Sequence, residues 1–421
     1  MTTSPSRKWY HTITREQWRA LFAAQLGWML DAMDVMLYAF ALNAIRTEFQ
    51  LSGATAGALA SATLLASAFG GILFGWLADR IGRARALVSA RLIYSFFTAM
   101  TASAANFAEL LLWRMLVGIG LGGEWSAGSV LVAETWPAEH RGKALGLMQS
   151  GWALGYILAA LLAATILPAH GWRLLFVLGI APAFFTFWIR KHVAEPAIWQ
   201  AHRKESSSLT FNSLRTILQP PYLQTTLRAS LITTSVLFAY WGLFTWLPTF
   251  LASPVASGGA GLTVVKSSMW IIPMQVGAFL GYTLFGFLAD RLGRKPTFIF
   301  FLIAAAVLAP LYGALARNET ALLLLGPLLG FFGHGYFSVF GALLAELYPT
   351  AIRGLAQGFA YNIGRAFSAL APYTIGALAD AFGIGSALAL TSAFFLAGAL
   401  LMKLLPETKG RALYDDELRS I

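Results

Sequence analysis

Residues 75–83 read Gly75-Trp-Leu-Ala-Asp79-Arg80-Ile-Gly82-Arg83, and residues 286–294 read Gly286-Phe-Leu-Ala-Asp290-Arg291-Leu-Gly293-Arg294. The two stretches stand 211 residues apart (75 to 286). A second pair, Glu134-Thr-Trp-Pro137-Ala-Glu-His-Arg141-Gly142 and Glu346-Leu-Tyr-Pro349-Thr-Ala-Ile-Arg353-Gly354, stands 212 apart (134 to 346). The glycine pairs Gly146/Gly358 and Gly171/Gly383 keep that offset. Two unrelated motifs at nearly one spacing mark a duplicated unit rather than a chance match.

The rest of the chain says what is duplicated. Of 421 residues, 57% are hydrophobic and 12% charged, against about a quarter charged in an ordinary soluble domain. The apolar runs are about 20 residues long, which spans a hydrocarbon core of roughly 30 Å. They predict helices over 20–42, 54–78, 86–105, 109–133, 143–167 and 172–190, then 227–251, 265–289, 297–316, 320–345, 354–379 and 383–405. Most are rich in Gly and Ala, which let helices approach closely in lipid. The fold class is therefore an all-α membrane protein of 12 transmembrane helices in two six-helix bundles. The bundles are 1–190 and 223–421, and the polar segment 191–222, with Ser206–Ser208 and Pro220–Pro221, is a cytoplasmic linker.

The net charge of +11 does not point to nucleic acid. Of the 30 Lys and Arg, four (Arg46, Arg173, Lys266, Arg317) fall in one set of loops and four (Arg91, Arg114, Arg228, Arg365) in or beside apolar segments. All others lie in the termini, the linker and the alternate loops. That asymmetry puts both termini in the cytoplasm of a multi-pass protein of the plasma membrane, a bacterial inner membrane. The start of the chain, with Trp9, Trp18, Arg7, Lys8, Arg15 and Arg19, reads as an interfacial anchor rather than a cleaved signal. There are no cysteines, no phosphate-binding Gly-rich loop, no metal spacing and no catalytic triad. The reading is of a transporter without a cofactor, not an enzyme.

The doubled Gly-x-Leu-x-Asp-Arg-x-Gly-Arg loop resembles the signature of the major facilitator superfamily, as does Arg114-x-x-x-Gly118-x-Gly120-x-Gly122. The resemblance covers the whole chain. It implies two bundles related by pseudo-two-fold symmetry around a central site that opens to each side in turn. Helix 1, with Asp31-Ala-Met-Asp34 after Trp18-Arg19, resembles the metabolite:proton symporters, a branch that includes sialic acid, lactate/pyruvate and aromatic acid carriers. Gly123-Glu124-Trp125 and Trp136-Pro137 resemble the sialic acid carriers. Ala32 and Met33 replace the Gly-aromatic pair of the aromatic acid symporters. Helix 5 lacks the Gly-Pro element of drug/proton antiporters.

An ionisable group at the bilayer centre costs about 2.5–3.5 kcal/mol on insertion scales, so it stays where it pairs or works. Asp31, Asp34, Glu124, His334 and Arg365 fall near midplane, and Arg114 in the outer third of its helix. Asp31 and Asp34 lie on one helical turn. Two carboxylates so close in a low dielectric do not ionise together readily, so one is poised to carry a proton. The alternative is a permanent pair with Arg114. Glu124 extends a proton relay or pairs with Arg91, and His334 is a proton acceptor or a packing residue. Arg365 maps at the 212 offset to Ala153, so it is no shared scaffold charge. Its planar fork suits a carboxylate, with Asn362 a neighbouring donor. Arg114, Tyr38, Gln149, Gln275 and Tyr361 complete the candidate substrate residues. Tyr156, Tyr240 and Trp241 are further candidate linings. Asp79, Arg83 and Glu134, with their repeats Asp290, Arg294 and Glu346, read as a cytoplasmic latch or as a topology signal alone. The partners are a small organic acid anion, protons and the lipid bilayer, with the chain acting as a monomer. A facilitative uniporter and a drug/proton antiporter are the alternatives to symport.

Overall fold

A computed structural model describes residues 13–184, 186 and 215–409, and among these residues it contains helices and no strand. The N-terminal half consists of α1 (Arg15–Glu48), α2 (Gly53–Ile81), α3 (Arg83–Thr101), α4 (Phe107–Thr135) and α5 (Ala138–Leu178). The C-terminal half begins with α6 (Leu223–Phe244), α7 (Leu247–Ala252), α8 (Val264–Leu292) and α9 (Arg294–Ala314). It ends with α10 (Glu319–Gly335), α11 (Phe337–Glu346), α12 (Thr350–Ser368), α13 (Leu370–Phe382) and α14 (Ile384–Met402). Most of the linker 191–222 lies outside the described residues.

The duplication is visible in the backbone. Gly82 opens α3 at φ 109, ψ 156 and Gly293 opens α9 at φ 108, ψ 156. Gly171, which breaks α5 between the fifth and sixth predicted spans, has φ 74, and its repeat Gly383 has φ 81. These are positions where an L side chain is strained. Eight described helical stretches are long and apolar enough to cross a membrane. Helices α3, α4 and α12 are not among them, and each carries a buried arginine: Arg91, Arg114 and Arg365. Elsewhere the outer surface is apolar, with Phe69, Ile72, Phe300, Leu324, Phe367 and Leu400 exposed. A belt of that kind needs lipid around it.

Three predicted spans are each split. The span 227–251 is divided into α6 and α7, the span 320–345 into α10 and α11, and the span 354–379 into α12 and α13. Prolines account for two of the breaks. Pro248 has no N–H to give the carbonyl of Phe244, and Pro372 has none for that of Ser368. The third break follows Gly333 and Gly335, which weaken a helix interior. The carbonyl orphaned by Pro248 is satisfied from the other half: the Tyr156 hydroxyl of α5 donates to Phe244 O at 3.0 Å. Seven residues earlier on α5, Gln149 Nε2 donates to Phe337 O, at the start of α11, at 3.4 Å. One face of α5 thus ties to two split helices of the opposite half.

The halves also meet along α2 and α13. A Cβ on Gly57 would stand 2.2 Å from the carbonyl oxygen of Pro372, so only glycine allows that approach. The first N–H groups of α2 have no partner within their own helix. Asp380 of the C-terminal half supplies one, accepting from Gly53 N at 2.9 Å and Ala54 N at 3.0 Å. Arg46 adds a contact to the same carboxylate at 3.5 Å. The backbone N–H of Tyr373, near the start of α13, donates to Ser61 Oγ at 3.1 Å. This seal lies on the face opposite the loops of Gly82 and Gly293.

A cap of this kind is worth about 1 kcal/mol. In a protein without native cysteines, a cysteine placed at the buried Ala60 reports on the seal. Asp380→Ala is expected to quicken its labelling by a maleimide from that face about fivefold. Labelling unchanged by the substitution would show that the carboxylate does not hold the seal.

Candidate functional site

Between the halves lies a narrow cavity lined from both sides. The N-terminal half contributes Trp28, Gln149 and Trp152 to its wall, and the C-terminal half Tyr240, Trp241, Tyr282, Tyr361 and Arg365. The repeat offset of 212 pairs Trp28 with Tyr240 and Gln149 with Tyr361, so related positions of the two halves face one space. Arg365 projects from α12, one turn after Tyr361, and its Cζ sits 5.1 Å from the Tyr361 ring centroid. It is 5% exposed, its Nε has no hydrogen-bond partner, and no described carboxylate lines the cavity with it. A buried guanidinium without an acid is costly. The cavity is thus lined by a cation and several aromatic side chains.

The predicted carboxylates stand apart from this space. Asp31 and Asp34 are buried in α1 and line no cavity with Arg365. Asp34 Oδ2 accepts from Thr98 Oγ1 of α3 at 2.5 Å, and Arg114 of α4 acts on it electrostatically. Both carboxylate oxygens of Asp31 lack a hydrogen-bond partner within the described geometry, with Arg91 and Tyr94 of α3 beside it. The result is a buried cluster of two acids and two bases inside the N-terminal bundle. Trp28, one turn before Asp31 on the same helix, lines the cavity, and Asp31 does not. Arg91 and Tyr94 were not singled out as partners of Asp31 from sequence. Arg91 read as a partner for Glu124, whose side chain lies outside the described residues.

The other predicted substrate residues divide. Gln149 and Tyr361 line the cavity. Arg114 and Tyr38 instead share a smaller neighbouring pocket of about 360 Å³, with the guanidinium 4.7 Å from the tyrosine ring centroid. Tyr38 donates to Ala56 O at 2.9 Å. Asn362 donates to Gly358 O at 3.0 Å on its own helix and packs on Gly71 of α2 rather than on the cavity. Gln275 is fully buried, with neither amide atom bonded, outside the cavity wall. His334 sits behind the wall: its Nδ1 meets Gly330 O at 3.1 Å, and the rings of Tyr240, Phe244 and Tyr282 surround it. Trp28, Trp152 and Tyr282 join the wall without having been proposed for it.

Of the latch residues, the side chains of Asp79, Arg83 and Glu134 lie outside the described residues. Arg294 bridges Asp290 at 2.7 Å and Glu346 at 3.6 Å, all within the C-terminal half. The chain end closes around them. Thr408 Oγ1 donates to Glu346 Oε2 at 2.5 Å, and Glu407 accepts from the backbone N–H of Arg294 at 2.9 Å and Lys295 at 3.1 Å. Partial burial works against the charge of Glu407, but these backbone donors hold its carboxyl below the usual range. Burial pushes Glu346 up despite Thr408 and Arg294.

The chain matches the model of the Major Facilitator Superfamily over residues 26–279 and 259–419. It is 35% identical over 390 residues to the cis,cis-muconate transport protein of Acinetobacter baylyi, covering 91% of this chain and 93% of that one. It is 30% identical over 397 residues to the sialic acid transporter NanX of Escherichia coli, covering 94% and 95%. Its fold is similar to the crystal structure of a D-xylose-proton symporter, with a TM-score of 0.73 at 21% identity over 94% of this chain and 100% of that one. Two halves built from one repeat, a central cavity between them and an apolar outer belt agree with these matches: the chain is a multi-pass membrane transporter, not an enzyme, and belongs to the major facilitator superfamily.

Proposed function

We propose that this transporter carries a small organic acid anion together with protons by alternating access. The observation that carries the reading is Arg365, a buried cation in the central cavity with no carboxylate among the described residues that line it. An entering carboxylate supplies the missing charge, and a planar guanidinium can take it with two parallel hydrogen bonds. Relatives named for muconate and sialic acid transport support an acid as cargo, and the likeness to a xylose-proton symporter supports the fold in which it moves.

The proton belongs to Asp31 and Asp34 in this reading. They are buried beside Arg91 and Arg114, so adding or removing a proton changes the net charge of the cluster inside the bundle. Helix α1 joins the cluster to the cavity wall through Trp28. Protonation then removes a charge that opposes reorientation of the loaded carrier, and substrate binding shifts the balance between the two open states. The basic loops face the cytoplasm of a bacterial inner membrane, with both termini inside and the chain working as a monomer.

Two measurements in proteoliposomes test this. An imposed inward acid gradient is expected to drive accumulation of a small organic acid. Arg365→Ala is expected to weaken its apparent affinity about 10- to 100-fold, the worth of one or two charged hydrogen bonds. If no acid in a broad panel accumulates, or if the variant matches the parent, the reading fails. Separately, Asp31→Asn or Asp34→Asn is expected to abolish gradient-driven accumulation while leaving downhill equilibration. Undiminished accumulation in both variants would move the proton site elsewhere, and equilibration without accumulation in the parent would mark a uniporter.

A further inference from the structure

The cavity wall holds more unmet donors than Arg365. Trp28 is 8% exposed and Trp241 7% exposed, and the indole Nε1 of each has no hydrogen-bond partner. Trp152 stands between them, its ring centroid 4.8 Å from that of Trp28 and 6.0 Å from that of Trp241. Its own N–H is also unbonded by strict geometry, but it lies beside the Tyr240 hydroxyl. Buried polar groups are paired in more than about nine cases in ten, and leaving one unpaired costs about 1–3 kcal/mol. Phenylalanine at 28 and 241 would fill similar space without that cost. Trp28 and Trp241, one from each half, thus bring to the cavity wall two indoles whose N–H groups have no partner among the described residues.

The inventory of the wall says what that ligand offers. On the donor side stand Arg365 and the two indoles. On the acceptor side, Gln149 Oε1 is a buried oxygen without a donor, and no described carboxylate lines the cavity. Aromatic faces from Trp152, Tyr240, Tyr282 and Phe337 make up much of the remaining wall. A ligand that suits this set brings acceptor oxygens to the donors and a flat face to the aromatic rings.

We infer that Trp28 and Trp241 form a second recognition subsite, whose indole N–H groups bind an acceptor on the substrate separate from the carboxylate held by Arg365. The substrate class is a flat, unsaturated organic acid carrying a second carboxylate or carbonyl oxygen. This rests on Arg365 as the anion ligand, and it adds the residues that choose among acids. Both indoles are needed because they come from opposite halves: the second acceptor draws α1 and α6 together, while a plain monoacid engages α12 alone.

The test is calorimetric binding of benzoate, 4-acetylbenzoate and terephthalate to the purified full-length protein. The parent is expected to bind the two-acceptor acids about tenfold more tightly than benzoate, the worth of one well-made hydrogen bond. Trp28→Phe and Trp241→Phe keep an aromatic ring, a smaller one, and lose the donor. Each is expected to reduce that preference about fivefold while changing benzoate affinity less than about twofold. Arg365→Ala is expected to weaken all three acids and leave their ratio unchanged. A parent that binds the acids without preference, or tryptophan variants that keep the preference or weaken benzoate equally, overturns the subsite alone. A parent that binds none of the acids overturns the anion site as well. Should either variant fail to fold, the preference of the parent decides.

Discussion

A guanidinium buried between two helix bundles needs a counter-charge. Arg365 has a tyrosine face beside it, and no described carboxylate lines its cavity. The cost of that arrangement, several kcal/mol for an isolated ion, is what the surrounding structure supports. Glycine contacts and an interhelical cap bring α2 against α13. The split between α12 and α13 follows directly on the turn that carries Arg365. A carrier benefits from such tension. In the proposed reading a carboxylate substrate neutralises Arg365, so occupancy changes the energy of the interface between the halves.

The second constraint is the separation of charge. The N-terminal bundle keeps Asp31, Asp34, Arg91 and Arg114 in one buried cluster, while the C-terminal half keeps Arg365 on the cavity. Helix α1 runs between the two, with Trp28 on the wall and Asp31 a turn further on. In the proposed symport, a proton and a substrate act on one helix without competing for one group. Helix α5 does the corresponding work for closure, since Tyr156 and Gln149 tie one of its faces to α6 and α11.

The duplicated architecture was legible because a repeat is a comparison that the chain makes with itself. The matching φ and ψ of Gly82 and Gly293 are the backbone form of a match already present in the letters. Arg365 was legible for the opposite reason: nothing in the first half corresponds to it. The aromatic wall was not, because a Trp or Tyr in an apolar helix reads as packing. The same offset aligns Trp28 with Tyr240, and that pairing was the available signal. Arg114, in the outer third of its helix, and Tyr38 were both expected among the substrate residues. Depth does not fix rotation about a helix axis, and theirs turns them into a neighbouring pocket. The breaks at Thr245 and Ala369 were signalled by Pro248 and Pro372. Asp380 gave no signal, because its partner is the start of a helix 327 residues away and no side-chain motif marks it.

The central claim is that an empty cationic cavity is completed by a carboxylate. Thermal unfolding of the purified protein with small organic acids, and with the uncharged amides of the same acids, asks this directly, since a ligand that binds the folded state raises its midpoint. The account predicts that acids raise the midpoint, their amides do not, and Arg365→Ala removes the difference. Equal stabilisation by acid and amide, or an acid effect that survives in Arg365→Ala, would contradict it.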